Sequence, residues 1–142
     1  MPVRKEADRY SGIRLSPDGR RIAFTIVGAK GPDLWVYDPE RATSLALTHE
    51  GDMFATSATP VWTPDGRRLV YAVRQGGVHW QPADGMANAE TLVSSQDRQP
   101  PYSFHPSGKY LALGVRLGAG VSILSLEGGS AGGSKQIGRA HV

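Results

Sequence analysis

The sequence predicts an all-β fold assembled from repeated four-stranded antiparallel units. Three observations predict it. First, a turn motif recurs: Ser16-Pro17-Asp18-Gly19-Arg20-Arg21 returns as Thr63-Pro64-Asp65-Gly66-Arg67-Arg68, and more loosely as His105-Pro106-Ser107-Gly108-Lys109-Tyr110. From Pro17 to Pro64 is 47 residues and from Pro64 to Pro106 is 42. Second, each copy leads into an apolar run: Ile22-Ala23-Phe24, Leu69-Val70-Tyr71 and Leu111-Ala112-Leu113. Third, no segment holds a helical period over ten or more residues. Four short strands per unit at this period match one blade of a β-propeller. The expectation is a partial propeller of about three blades, the last incomplete.

The turn has a physical basis. Pro17, Pro64 and Pro106 preset φ at the first central position. Asp18, Asp65 and Ser107 bond nearby backbone groups, and Gly19, Gly66 and Gly108 take the left-handed exit. These nine residues are read as structural.

The strands follow in order. In unit one, Ile13–Leu15, Arg21–Val27, Leu34–Asp38 and Leu45–Thr48 are expected as strands, with Gly28–Asp33 as a loop. Unit two gives Pro60–Trp62, Arg68–Arg74, Val78–Gln81 and Glu90–Ser94, with a tight turn at Gln75–Gly77 and a loop at Pro82–Asn88. Unit three gives Tyr102–Phe104, Tyr110–Arg116 and Val121–Leu126, and its fourth strand is not found in the repeat. In the second strands, Ile22, Phe24 and Ile26 align with Leu69, Tyr71 and Val73 and with Leu111, Leu113 and Val115. Side chains alternate along a strand, so these share one face. The other face carries the smaller Ala23/Thr25, Val70/Ala72 and Ala112/Gly114. A strand apolar on both faces is expected to be covered on both.

Residues 1–12 read as a lead-in, 13–129 as the partial propeller (units 13–59, 60–100 and 101–129), and 130–142 as a flexible Gly/Ser-led tail. Residues 136–142, ending Ile137-Gly138-Arg139-Ala140-His141-Val142, fit nothing in the repeat. They spell one reading frame of a widely used sequencing adapter, and are expected to be read-through of foreign codons. Arg139 and His141 are therefore left out of the chemistry.

The composition is 39% hydrophobic and 20% charged, with 18 glycines and 10 prolines, as short elements joined by tight turns require. The net charge is only +3, and the arginine pairs are dispersed over the repeated turns, so no nucleic-acid partner is expected. The absence of cysteine removes disulfides, zinc–thiolate sites and thiol nucleophiles. No stretch approaches the roughly 18 apolar residues of a membrane span.

The stretches Ser16–Phe24, Leu34-Trp35-Val36-Tyr37-Asp38, Leu47-Thr48 and, above all, Pro60–Tyr71 with Val78-His79-Trp80 and Ala83-Asp84-Gly85 resemble the TolB-type (WD-like) propeller repeat. Their order and wording are most similar to propellers attached to bacterial serine/threonine protein kinases. The resemblance spans Ile13 to Gly129. It implies a noncatalytic interaction or sensor domain within a larger protein, outside the cytoplasm, with a protein or peptide partner and with further blades completing the ring. The alternative it implies is the gating propeller of a prolyl-oligopeptidase-like serine peptidase whose catalytic domain lies elsewhere.

No catalytic, cofactor or metal residue is expected. No Gly-x-Ser-x-Gly elbow is expected, no strand-to-helix turn exists to carry a serine nucleophile, and there is no kinase His-Arg-Asp or Asp-Phe-Gly. Gly118-Ala119-Gly120 reads as a hairpin turn, not a phosphate loop. His49, His79 and His105 fall at different repeat positions, without the short spacing of metal ligands. Asp18, Asp38, Asp65 and Asp84 recur with the repeats. Two readings of them stay open: turn caps, or a ring of polar groups near the propeller axis. Trp35, Trp62 and Trp80 are expected to fill space between blades.

Overall fold

The computed structural model describes residues 9–53, 59–96, 99–115 and 120–126, and the backbone of 134–140. Unit one comprises β1 (Arg9–Leu15), β2 (Ile22–Gly28), β3 (Gly31–Asp38) and β4 (Thr43–Ala46). Unit two comprises β5 (Val61–Trp62), β6 (Arg68–Ala72), β7 (Val78–Pro82) and β8 (Glu90–Val93). Unit three comprises β9 (Pro101–Phe104), β10 (Tyr110–Val115) and β11 (Gly120–Leu126). Each unit is an antiparallel sheet in chain order. The repeat itself supplies three strands of unit three. The fourth place in that sheet is taken by β12 (Ser134–Ala140), antiparallel to β11.

β12 differs from the expected flexible tail. An open strand edge offers a row of unpaired N–H and C=O groups, and ladder bonds form with any extended backbone whatever its side chains. Pairing is therefore no measure of whether the segment shares the repeat's sequence.

Strand boundaries also moved: β1 begins at Arg9, within the expected lead-in, with Arg9 paired to Val27 and Tyr10 to Ile26. The expected Gly28–Asp33 loop is a tight hairpin, with Gly28 paired to Gly31. The fourth strand of unit one ends at Ala46, not Thr48. Leu47 and Thr48 leave the ladder because Leu34 claims them: the Leu47 amide donates to the Leu34 carbonyl at 2.8 Å, and the Thr48 hydroxyl accepts from the Leu34 amide at 3.0 Å.

The core lies between units. Ala23, Leu34, Val36 and Leu47 of unit one pack with Trp62, Leu69, Tyr71 and Val73 of unit two. Val70, Val78, Trp80 and Leu92, on the other side of unit two, pack with Leu111, Leu113, Leu124 and Leu126 of unit three. Units one and two thus set the face carrying 23 or 70 against the next unit's face carrying 69/71 or 111/113. The expectation of a strand buried on both faces holds best for β6, where Leu69, Val70, Tyr71 and Ala72 are all buried. Trp62 and Trp80 are buried as expected, whereas Trp35 is half-buried and packs on Phe24, Ile26 and Tyr37 at the start of the array.

Candidate functional site

The repeated turns gather at one end of the array. In an antiparallel sheet, the connection from strand one to strand two and that from strand three to strand four lie at the same end. Asp18, Asp38, Asp65 and Asp84 all reach it.

Locally, each turn is a closed hydrogen-bond unit. The Ser16 hydroxyl donates to Asp18 at 2.6 Å, the Arg20 amide donates to the same carboxylate oxygen at 3.0 Å, and the Arg21 amide donates back to the Ser16 hydroxyl at 3.0 Å. Thr63, Asp65, Arg67 and Arg68 repeat this with distances of 2.6, 3.0 and 3.0 Å. In the third turn, His105 and Ser107 stand for the hydroxyl and carboxylate. The His105 Nδ1 lies 2.9 Å from the Ser107 hydroxyl, and the Lys109 amide donates to that hydroxyl at 3.2 Å. Gly108 keeps the left-handed φ of +77°. The departure from the pattern keeps the turn geometry and removes its negative charge.

The turns also stack. Gly66 lies beside the Pro17 ring and Gly108 beside the Pro64 ring. Arg21 clamps the first pair: its guanidinium donates to the Gly66 carbonyl at 2.6 Å and lies 5.0 Å from the Trp62 ring centroid. Trp62 completes the clamp by donating from Nε1 to the Arg14 carbonyl at 3.1 Å. Arg68, the repeat equivalent of Arg21, sits 4.4 Å over the Trp80 ring of its own unit instead. Sequence spacing equates the two arginines, and only the packed structure separates their roles.

Two depressions result. A hollow of about 390 Å³ is lined by Arg21, Asp65, Arg67, Arg68, Pro82 and Asp84. A groove of about 750 Å³ runs between units two and three, past Asp65, Arg68, Trp80, Lys109, Tyr110 and Ser125. The Trp80 Nε1 is buried beside it, with no hydrogen-bond partner among the described residues.

The aspartates are turn caps in this geometry. Asp38 accepts from the Glu40 and Arg41 amides at 3.0 and 3.2 Å, and Asp84 from the Met86 amide at 2.9 Å. Asp38 and Asp84 sit on the connection from strand three to strand four. That is two strand spacings, about 10 Å, from the first turns, so the four do not form one ring of ligands. Among the described residues no group of three His, Asp or Glu side chains converges as a cation site. The Ser16 hydroxyl, followed by the Arg20 amide, holds the Asp18 carboxyl below the usual aspartate range. At Asp65, partial burial pushes the carboxyl up, but the Thr63 hydroxyl, the Arg67 amide and the flanking arginines outweigh it and hold the group low. Both stay ionised near neutrality, fully engaged with their own turns.

From the opposite end, where Asp52 and Arg74 lie, a groove of about 660 Å³ runs past Tyr71, His79 and Gln81 to Asn88. The Tyr71 hydroxyl donates to Gln81 at 2.7 Å, and Gln81 donates to the Leu47 carbonyl at 3.3 Å. Burial pushes the Tyr71 phenol up, with the Asp52 charge acting in the same direction. Burial pushes the His79 imidazole down, against Asp52. His79 meets Tyr71 edge-on and lies 3.3 Å from the Thr91 hydroxyl. His49 is exposed and His105 belongs to a turn, so the three histidines are not brought together.

A hub the sequence reading missed ties this end down. Asp33 accepts from the Thr48 hydroxyl at 2.5 Å and from the Gly51 and Asp52 amides at 2.9 and 3.2 Å. Arg74 donates to the Lys30 carbonyl at 2.8 Å beside it. Asp33 lies outside the repeated turn, so repetition gave no signal for it. The serine pattern also needs a correction: Gly128-Gly129-Ser130-Ala131-Gly132 does spell Gly-x-Ser-x-Gly. It connects strands β11 and β12, not a strand to a helix as a nucleophile elbow requires. Ser130 lies outside the described residues, as do Gly118 and Ala119 of the glycine turn.

No protein-family profile matches the chain, and no curated protein matches it. Solved structures do. A TolB-assigned protein of Agrobacterium tumefaciens superposes on 98% of this chain and 52% of its own, at 19% identity and a TM-score of 0.65. A chain of the nidogen/laminin complex matches over 94% of this chain and 48% of its own, at 12% identity and TM-score 0.67. Puromycin hydrolase matches over 97% of this chain and 23% of its own, at 22% identity and TM-score 0.69. At these identities the likeness is one of fold. The three sheets are blades of a β-propeller, and the chain spans about half or less of each of these matched chains.

Proposed function

We propose that this partial propeller is a noncatalytic binding segment of a larger protein, and that it engages an acidic protein or peptide segment at the end where the turns gather. The observation that carries this reading is the division of labour there. The aspartates are engaged by backbone amides, while arginine, lysine and aromatic side chains line the groove. Such groups bind carboxylates and backbone carbonyls. A rigid propeller presenting side chains at one end of its blades is suited to recognition. No cofactor enters this reading. Kinase attachment and a place outside the cytoplasm belong to it through the wording of the repeats alone.

The test is fluorescence titration of the chain with a glutamate-rich decapeptide at low and high salt. Binding that weakens with salt, and about tenfold in Lys109→Glu, is expected. Equal affinity for a lysine-rich peptide would overturn the reading.

A second reading is favoured by the match to puromycin hydrolase and by a match at 18% identity to a prolyl endopeptidase. In it the segment gates a peptidase whose catalytic domain is carried elsewhere in the parent protein. The flanking reading frame discriminates. A kinase domain and membrane span upstream support the first reading, and an α/β-hydrolase domain supports the second.

A further inference from the structure

The interface between blades one and two carries polar side chains where the next interface carries leucine. Ladder pairing sets Tyr71 and Gln81 of blade two at the positions of Leu113 and Leu124 in blade three. Leucine fills those places without a hydrogen bond, so packing one blade on the next does not need a phenol or a carboxamide there. Burying such groups costs free energy unless they are bonded. Here the Tyr71 hydroxyl donates to Gln81 at 2.7 Å, and Gln81 donates to the Leu47 carbonyl at 3.3 Å. Together with His79 they form one wall of the groove that begins at Asp52; Leu45, Leu47 and Thr48 of blade one form the other. Both walls belong to consecutive blades of this chain.

Asp52 stands in that groove on a fixed backbone. Its amide donates to Asp33 at 3.2 Å, its carbonyl accepts from the Arg74 amide at 2.9 Å, and Met53 beside it bridges to Val73. The residue is half-buried, and among the described residues its carboxylate has no hydrogen-bond or ion-pair partner. The other carboxylate lining the groove, Glu50, is paired with Lys30 at 2.7 Å, and the Arg74 guanidinium is held on the Lys30 carbonyl. Asp52 lies close enough for its charge to act on both Tyr71 and His79. An unpaired, half-buried charge destabilises a fold, and a cation from outside would remove that penalty.

We propose that the groove between blades one and two binds the guanidinium of an arginine side chain on a partner protein, with the Asp52 carboxylate as counter-ion and the Tyr71 oxygen as a second acceptor. The two carboxylate oxygens match the fork of a guanidinium. The Tyr71 hydroxyl has committed its proton to Gln81, so towards the groove it can only accept. The Tyr71 and His79 rings meet edge-on at 6.1 Å, and a planar guanidinium packs on aromatic rings as a compact ammonium does not. The chain already sets Arg21 and Arg68 on tryptophan rings. Leu45 and Leu47 can cover the aliphatic stem. This site is separate from the groove of the acidic-segment reading, and it takes the opposite charge.

The experiment is a proton–nitrogen NMR titration of the whole chain with acetyl-Gly-Arg-Gly-amide and with its lysine counterpart. Saturable shifts of the Asp52, His79 and Gln81 amides are expected with the arginine peptide, and about tenfold weaker binding with the lysine peptide. Asp52→Asn keeps both backbone bonds and removes only an unpaired charge. It is expected to keep its urea midpoint and to bind the arginine peptide about tenfold more weakly. The comparison of the two peptides decides without any variant. Absence of saturable shifts, equal binding of the lysine peptide, unchanged affinity in Asp52→Asn, or shifts confined to the turns around Asp65 and Trp80 would each overturn the proposal.

Discussion

Gly51→Ala and Gly19→Ala separate backbone conformation from backbone crowding. Both glycines are left-handed, with φ of +68° and +73°. Around Gly19 an added Cβ meets nothing within 4 Å. At Gly51 it lands inside the Lys30 carbonyl oxygen and 2.7 Å from the Lys30 carbonyl carbon. The left-handed conformation alone costs an alanine about 1 kcal/mol, and the stiffer unfolded chain offsets about half of that. Gly19→Ala is therefore expected to cost no more than about 1 kcal/mol. Gly51→Ala must in addition push Lys30 away. That loosens the Arg74 bond to the Lys30 carbonyl and the Gly51 amide bond to Asp33. At about 1 kcal/mol for each disturbed bond, the total approaches 3 kcal/mol. Urea unfolding at constant m-value measures both. Equal costs within about 0.5 kcal/mol would refute the close approach of the 51 and 30 backbones, since that gap is smaller than one hydrogen bond.

Thr48→Val keeps the side-chain shape and removes the hydroxyl shared by the Leu34 amide and Asp33; a loss of about 1–3 kcal/mol is expected in urea unfolding. Because burial raises the Tyr71 phenol in the folded state, the unfolded chain releases its proton first. Stability should hold below about pH 10 and fall as the pH rises beyond it, and Tyr71→Phe should flatten that fall in pH-dependent thermal melts. Asp18 and Asp65 have lowered folded values, so their stabilising contribution is present above the ordinary aspartate value of 3.8 and is lost as the pH falls below it. Carboxyl chemical shifts followed by NMR titration should show both midpoints below that value.

The turn motif was legible because its physics is local. Ser16, Asp18, Gly19 and Arg21 close their bonds within six residues, and the same chemistry recurs at Thr63 and, with substituted partners, at His105. Most strand cores followed from alternation, and strand ends did not. Leu47 and Thr48 were drawn out of the ladder by Leu34 and Asp33, a choice made across a hairpin.

By itself, then, the amino-acid order determined the repeated unit, its turns, and which residues of each second strand share a face. Those depend on contacts between near neighbours and on the two-residue period of a strand. Tertiary structure alone decided which face of one blade meets which face of the next. It also decided that Arg21 clamps Trp62 while Arg68 covers Trp80, and that Asp33 anchors the 48–52 segment. In each case the partners come from different strands or blades, and their geometry is fixed only when the sheets pack.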